Sequence, residues 1–251
     1  MQETGFYAFK WRNYMPDVGR FFNVDPLAEK FPYNSTYAFS ENRVIDAREF
    51  EGLEKVQINK ETKNLIIAVI GYRGPPEKGR TQVKNDPNIS YDKTSFAHKL
   101  VESYASDKNT QVAVFFPSTT SYTDNDISAS IQDFRAQSPD GKLVLAGHSK
   151  GADTVVGVAN DNPDIKVDKL LTLDISSFTV NNTKIKSNTA EAKNYYQDNF
   201  FDLGGTRISP ADGNTTSKVT NVNTTSSHTT IDDDYRINIL NEVKKVIPIK
   251  K

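Results

Sequence analysis

Ser149 sits in Gly147-His148-Ser149-Lys150-Gly151, between the apolar run Leu143-Val144-Leu145-Ala146 and a helix-compatible run from Ala152 to Ala159. The form G-x-S-x-G in a strand–turn–helix setting is what a nucleophile elbow requires. The turn is so tight that only small residues fit two places either side of the serine, hence the paired glycines. That geometry lifts the hydroxyl above the sheet edge, where a histidine can reach it. A serine hydroxyl is a poor nucleophile until a neighbouring base takes its proton.

Three histidines are available: His98, His148 and His228. Adjacent side chains on a strand point to opposite faces, so His148 is directed away from Ser149. His98 falls inside a predicted helix upstream of the serine, where packing or surface exposure is its natural role. His228 lies in the polar loop Thr224-Thr225-Ser226-Ser227-His228-Thr229-Thr230, after a predicted last strand and ahead of the final helix. That is the position of the base in the chain order serine, acid, histidine.

An acid must orient the imidazole and stabilise its charged form. Asp174 ends the strand after the elbow helix, at the carboxyl edge where ligands bind in open α/β sheets. Asp198, Asp202 and Asp212 in the following loop compete for the role. An oxyanion hole needs backbone N–H donors, one of them from the residue after the nucleophile, here Lys150. The second is expected from Gly71-Tyr72-Arg73-Gly74-Pro75-Pro76, after the apolar run Ile66 to Ile70. Pro75 and Pro76 have no N–H, which leaves Tyr72 or Arg73, with Tyr72 preferred. Asp232-Asp233-Asp234 reads as helix N-terminal charge answering the dipole rather than as a metal site. The scheme calls for no cofactor and no metal.

The elements that must hold these groups alternate. Val56 to Asn59 and Leu65 to Tyr72 are β-like and joined by the polar turn Lys60-Glu61-Thr62-Lys63, which predicts a hairpin. Thr94 to Tyr104 has helical spacing, Gln111 to Phe116 is β-prone, and Asp126 to Gln137 is again helical. After the strand and helix around Ser149, Lys169 to Asp174 forms another strand. Residues 175 to 227 are rich in Asn, Thr, Ser and Gly, with strand-like patches at Ala192 to Tyr196 and Val219 to Val222. Asp232 to Val246 closes the chain as a helix. Apolar strands alternating with amphipathic helices predict a mostly parallel sheet with helices on both faces.

The bulk properties limit the alternatives. With 251 residues there is room for one sizeable domain and an appendage. Residues 1 to 54, dense in aromatics, prolines and charges, read as that appendage, and 55 to 251 as the domain. The formal net charge of −1 gives no field favouring nucleic acid or an anionic membrane. No apolar run is long enough to span a bilayer. The polar start Met1-Gln2-Glu3-Thr4 has no apolar signal core, so no secretory peptide is expected. The absence of cysteine excludes disulfides, thiolate zinc sites and cysteine nucleophiles.

Two resemblances extend this reading. Tyr14-Met15-Pro16, Gly19-Arg20-Phe21, Val24-Asp25-Pro26-Leu27-Ala28-Glu29-Lys30, Tyr37-Ala38-Phe39, Asn42 and Ile45-Asp46 resemble the conserved end of the rearrangement-hot-spot (Rhs) repeat-associated core, over residues 5 to about 53. In that family a large β-cage encloses a variable C-terminal toxin, and this core end precedes the toxin. Asp46-Ala47-Arg48 stands where many members carry D-P-x-G around their self-cleavage site. Residues 55 to 247 resemble small α/β-hydrolase lipases: Gly147 to Gly151 match their elbow, Leu173-Asp174 the strand-end acid, and Ser227-His228-Thr229 the base loop. Gly71-Tyr72-Arg73-Gly74 is similar to their F-R-G turn, with Pro75 where many lipases carry Ser or Thr.

The combination implies an antibacterial lipase effector acting on phospholipid or other ester substrates. It also implies a cognate immunity protein, an Rhs cage or secretion-system component as a further partner, and delivery out of the producing bacterium into a target cell. From the residues alone, the leading reading is a serine esterase or lipase using Ser149, His228 and Asp174. A non-catalytic interaction module on a hydrolase-like sheet predicts no labelling by an activated fluorophosphonate. A nuclease-type toxin is disfavoured by the near-neutral charge, the scarcity of histidine and the lack of a recognisable metal cluster.

Overall fold

Leu65-Ile66-Ile67-Ala68-Val69 is apolar at every position, a pattern a strand carries when both its faces are covered. In the computed structural model this run is β4 (Asn64–Val69), with β6 (Thr110–Phe115) hydrogen-bonded in parallel on one side and β7 (Lys142–His148) on the other. The structure describes residues 7–8, 12–24, 35–37, 58–71, 82–83, 93–116, 122–175, 182–199, 202–203 and 205–249.

The chain divides into two compact units, Met1–Gln57 and Ile58–Lys251. In the first, β1 (Tyr7–Ala8), β2 (Asn13–Met15) and β3 (Arg20–Phe21) pair antiparallel in that order. Phe21 is buried, with the Arg12 guanidinium 3.8 Å from its ring centroid and Tyr14 edge-on at 5.9 Å. Irregular chain with short strands is what the aromatic, proline-punctuated composition predicts here.

In the second unit, seven described strands form one sheet in the order β12-β10-β8-β7-β4-β6-β5. Here β5 is Gln82–Val83, β8 Lys169–Leu173, β10 Glu191–Tyr196 and β12 Lys218–Asn223. Every pairing is parallel except that of β5 with β6 at one edge. Among the described residues four longer helices cover this sheet: α1 (Phe96–Tyr104), α2 (Tyr122–Gln137), α3 (Lys150–Asp161) and α5 (Arg236–Lys244), with the single turn α4 (Ile231–Asp234) before the last. On one face Ile66, Ala68, Val112, Val114, Val144, Ala146, Leu171 and Leu173 pack under α1 and α5. On the other, Ile67, Leu145 and Leu170 stand in register beneath α3, whose neighbour is α2. This is the α/β-hydrolase-like architecture expected, a mostly parallel sheet with helices on both faces.

Two local expectations are corrected. The predicted hairpin before β4 does not form: Ile58 and Asn59 are not strand, and β4 is already bonded on both sides. Val56 and Gln57 lie outside the described residues. The predicted final helix is interrupted at Tyr235 (φ −97°, ψ 7°), whose ring packs on Tyr195 at 5.0 Å.

The strand order positions the site. From β4 the chain goes to β5 at the edge and back to β6 beside β4, then returns to β7 on the other side and continues outward through β8, β10 and β12. The carboxyl ends of β4 and β7 therefore meet at the switch point, where open α/β sheets form their crevice. Asparagine also shapes this edge. Thr172, Asn194 and Asn221, in register on β8, β10 and β12, form a ladder with bonds of 2.8 and 3.0 Å, buried at Thr172 and Asn194 and half-buried at Asn221. Asn194 also donates to the Thr206 carbonyl, and Asn221 pairs with both backbone polar atoms of Ile208. The ladder thus fastens residues 206 to 208 to the sheet. A short parallel pair, β9 (Lys184–Ile185) with β11 (Ser209–Pro210), continues from it.

Candidate active site

Ser149 stands between the last residue of β7 and the first of α3, with φ 54° and ψ −121°. A non-glycine residue in the left-handed region costs of order 1 kcal/mol or more and persists only where its surroundings enforce it. Those surroundings are tight. A Cβ on Gly147 would overlap the Gly151 carbonyl, and one on Gly151 would overlap the carbonyl oxygens of Val69 and Ile70. Both glycines are demanded by close backbone approach, as the pattern implied.

The Ser149 N–H bonds to the Leu173 carbonyl at 2.9 Å, extending the β7–β8 ladder one step past the strand. It therefore fastens the serine beside Asp174, which follows Leu173 and is itself held by Asp174 N–H to the Tyr195 carbonyl at 2.7 Å. Asp174 also has positive φ, 45°. Of the three non-glycine residues with positive φ among those described, two are Ser149 and Asp174. Such strain clusters where a fold holds reacting groups.

His228 bridges the two. Its Nδ1–H donates to Asp174 Oδ2 at 2.7 Å, and the Ser149 hydroxyl donates to its Nε2 at 2.9 Å. The carboxylate can only accept, which places the ring proton on Nδ1 and leaves Nε2 free to take one. Asp174 is 0 % exposed and His228 5 %, so little water competes for these bonds. The Asp174 carboxylate is further met by Gln197, whose backbone N–H reaches Oδ1 at 3.0 Å and whose amide reaches Oδ2 at 3.1 Å. Gly205 lies against the same carboxylate, where a Cβ would overlap Oδ1. Ser149, His228 and Asp174 are thus linked in one hydrogen-bonded series, with the hydroxyl directed at an imidazole nitrogen that can accept its proton.

Lys150, the first residue of α3, presents its N–H at a helix N-terminus, where the first amides lack intrahelical acceptors. Its side chain is turned aside into an ion pair with buried Asp153 at 2.6 Å, and Asp153 also accepts from Asn182 N–H at 2.8 Å. Burial, the largest influence, pushes the nearby Asp124 carboxyl above its usual range, with Lys150 opposing. Tyr72 and Arg73 lie outside the described residues. Among the described residues no cluster of three or more His, Asp or Glu side chains converges as a metal site. None of their helices is long and apolar enough to cross a membrane.

The competing acids are elsewhere. Asp198 accepts from the Asn223 amide, and Asp212 sits in an exposed turn. Asp202 does reach His228, but at its backbone: His228 N–H donates to Asp202 Oδ2 at 2.7 Å. His98 takes the Ser95 cap of α1 through its backbone N–H.

Sequence reasoning passed over two further residues. His148 does point away from Ser149, yet its Nε2 meets the His228 carbonyl at 2.9 Å. Asp232 is more than a helix-end charge: it is buried, with Oδ2 3.8 Å from His148 Nδ1. The available signal was strand alternation itself. Val144, Ala146 and His148 share one face of β7, the face that α1 and α5 cover.

No family model matches the chain, and no curated protein resembles it in sequence. Similar solved structures include an a/b serine hydrolase without lid from Xanthomonas campestris (14 % identity, 74 % of this chain and 84 % of that one, TM-score 0.41). A cutinase-like protein from Cryptococcus sp. is similar at 13 % identity over 73 % of this chain and 95 % of that one, TM-score 0.42. A lipase-esterase related protein from Clostridium acetobutylicum is similar at 13 % identity over 75 % and 96 %, TM-score 0.40.

Proposed function

We propose that this chain is a serine hydrolase of carboxylic esters, a lipase of phospholipase type. The observation that carries the reading is His228, bonded at one ring nitrogen to Ser149 and at the other to Asp174. In this scheme the Ser149 oxygen attacks the ester carbonyl carbon while its proton passes to His228 Nε2. The tetrahedral oxyanion is stabilised by the Lys150 N–H and a second donor assigned to Tyr72. The carbon–alkoxy bond breaks, and the departing alcohol takes the proton from His228. Water then attacks the acyl-serine, giving its proton to His228; the bond from the Ser149 oxygen to the acyl carbon breaks, the acid leaves, and the serine oxygen takes the proton back from His228. Asp174 holds the ring in the working tautomer and stabilises the imidazolium formed twice per turnover.

The same proposal assigns the chain to antagonism between bacteria. The Val24-Asp25-Pro26-Leu27-Ala28-Glu29-Lys30 segment and its neighbours support an Rhs-core end, which makes the hydrolase unit the toxin, delivered by a secretion system and neutralised in the producer by an immunity protein. Membrane phospholipid is then the substrate.

The test is a fluorophosphonate probe on the purified protein, followed by mass-spectrometric lipid profiling of membranes exposed to wild type and to Ser149→Ala. Labelling of Ser149 and appearance of lysolipid and free fatty acid with wild type alone are expected. Absence of labelling in the wild type rejects the hydrolase. Labelling with no change in lipids rejects the phospholipase and retains the esterase.

A further inference from the structure

His228 belongs to no regular element: it lies between Asn223, the end of β12, and Ile231, the start of α4. A loop residue retains backbone freedom that a ladder or helix would remove. Yet its imidazole must meet Ser149 and Asp174 at once. What restrains it is visible at its own peptide groups. The N–H is taken by Asp202 Oδ2 at 2.7 Å, and the C=O by His148 Nε2 at 2.9 Å.

Both grips are themselves anchored. The Asp202 carbonyl accepts from the Gln197 amide at 2.8 Å, and that same amide serves Asp174. The Gln197–Asp202–His228–Asp174 contacts therefore close a ring. On the other side, a backbone carbonyl can only accept, so His148 carries a proton on Nε2. Its ring is confined: the His228 ring centroid lies 5.2 Å away, Asp232 Oδ2 faces Nδ1 at 3.8 Å, and a Cβ on Gly71 would come within 2.6 Å of Nδ1. His148 is also rigid by position, one residue before Ser149 on the buried strand β7.

We infer that His148 and Asp202 are positioning residues for the proposed reaction, clamping the backbone of His228 by its C=O and its N–H. The inference rests on the hydrolase reading above. The nucleophile's own strand thereby supplies one jaw of the clamp, so Ser149 and the base move as one body. Misplacing a catalytic group by about 1 Å costs on the order of 100-fold, and loss of an orienting partner about 10- to 100-fold.

Four variants test this with p-nitrophenyl butyrate turnover and the rate of fluorophosphonate labelling. His148→Phe keeps a ring without the donor, and His148→Gln keeps a donor at the same number of bonds from Cα. Asp202→Ala removes the acceptor, and Asp202→Asn keeps one. We expect His148→Phe and Asp202→Ala to lower kcat about 10- to 100-fold with KM within about threefold, and labelling to slow in proportion. His148→Gln and Asp202→Asn should recover kcat to within about threefold of wild type. The inference is overturned if folded His148→Phe and Asp202→Ala turn over at the wild-type rate, or if Gln and Asn restore nothing. Should His148→Phe fail to fold, the Asp202 pair decides alone. A wild-type protein that neither turns over ester nor takes the probe fails the hydrolase reading instead.

Discussion

Gln197 meets Asp174 twice, by its backbone N–H to Oδ1 at 3.0 Å and by its side-chain amide to Oδ2 at 3.1 Å. A fully buried carboxylate needs such donors, because an ion without them loses its hydration uncompensated. Gln197 follows directly on β10, so the sheet itself delivers the partner. Gln197→Met, similar in length but without a donor, should lower kcat about tenfold and spare KM. Gln197→Glu sets a second carboxylate against the first and should cost more, about 100-fold at pH 7. Steady-state kinetics on the two variants checks both the loss and its order; equal rates would mean that the amide contact carries nothing.

In the proposed reaction Ser149, His228 and Asp174 divide by what each does to the proton. Ser149→Ala removes the attacking oxygen, and His228→Ala removes the ring that accepts its hydrogen bond. Each should lower ester kcat/KM by about 1,000-fold or more. Asp174→Ala leaves the base in place but unoriented, and should cost least of the three. Circular dichroism should stay native for all of them. Full activity in Ser149→Ala would reject the scheme.

Much of this was legible in the chain. The elbow could be read because its two glycines answer a local demand, close backbone approach at Val69, Ile70 and Gly151, that any G-x-S-x-G turn makes. Strands at 111–116 and 169–174 matched β6 and β8 to within a residue, since continuous apolar runs bounded by polar residues mark buried parallel strands. His228 followed from elimination among three histidines and from chain order, and Asp174 from its place at a strand end, with three other aspartates still in competition. What stayed hidden was pairing between distant segments. Periodicity suggests that Leu65 to Val69 is a strand but not that it bonds β6 and β7 rather than residues 56 to 59. Likewise, alternation turned His148 away from Ser149, while nothing local reveals that the loop bearing His228 folds over that same face. Asp202 was weighed as an acid because its side chain type is all that sequence exposes; its actual contact is with a backbone amide.

Gly151 offers a test of the elbow independent of chemistry. A Cβ there would overlap the main-chain oxygens of Val69 and Ile70, which belong to or follow the central strand β4 and cannot rotate aside. Gly151→Ala should therefore destabilise by about 3 kcal/mol, lowering Tm by roughly 6–12 °C. Gly213 provides the contrast. Its φ is +77° and a Cβ there would meet nothing within 4 Å, so Gly213→Ala carries the conformational cost alone, about 1–2 kcal/mol. Thermal unfolding of both variants separates overlap from dihedral strain. Equal shifts would indicate that β4 yields to the added methyl.

Glu242 ties the last helix to the sheet, and its titration should be visible in stability. Its carboxylate accepts from Lys169 at 2.6 Å, Lys193 at 2.9 Å and Lys245 at 2.7 Å, and Lys169 is itself buried and also bonded to Glu191 at 3.1 Å. Burial alone would raise the Glu242 pKa; hydrogen bonds from Lys169, Lys245 and Lys193 more than reverse it and hold it at about 2. An acid whose folded pKa lies below its unfolded value stabilises the fold above the unfolded pKa. That contribution is complete at neutral pH and is lost as pH falls from about 4.5 toward about 2. Glu242→Gln should thus lower Tm most at pH 7, leaving buried Lys169 with a weaker partner, and the gap from wild type should narrow steadily below about pH 4.5. Melting curves for both proteins between pH 7 and pH 2 check the sign. A gap that stays constant, or widens in acid, would show that the lysines do not hold this carboxylate charged.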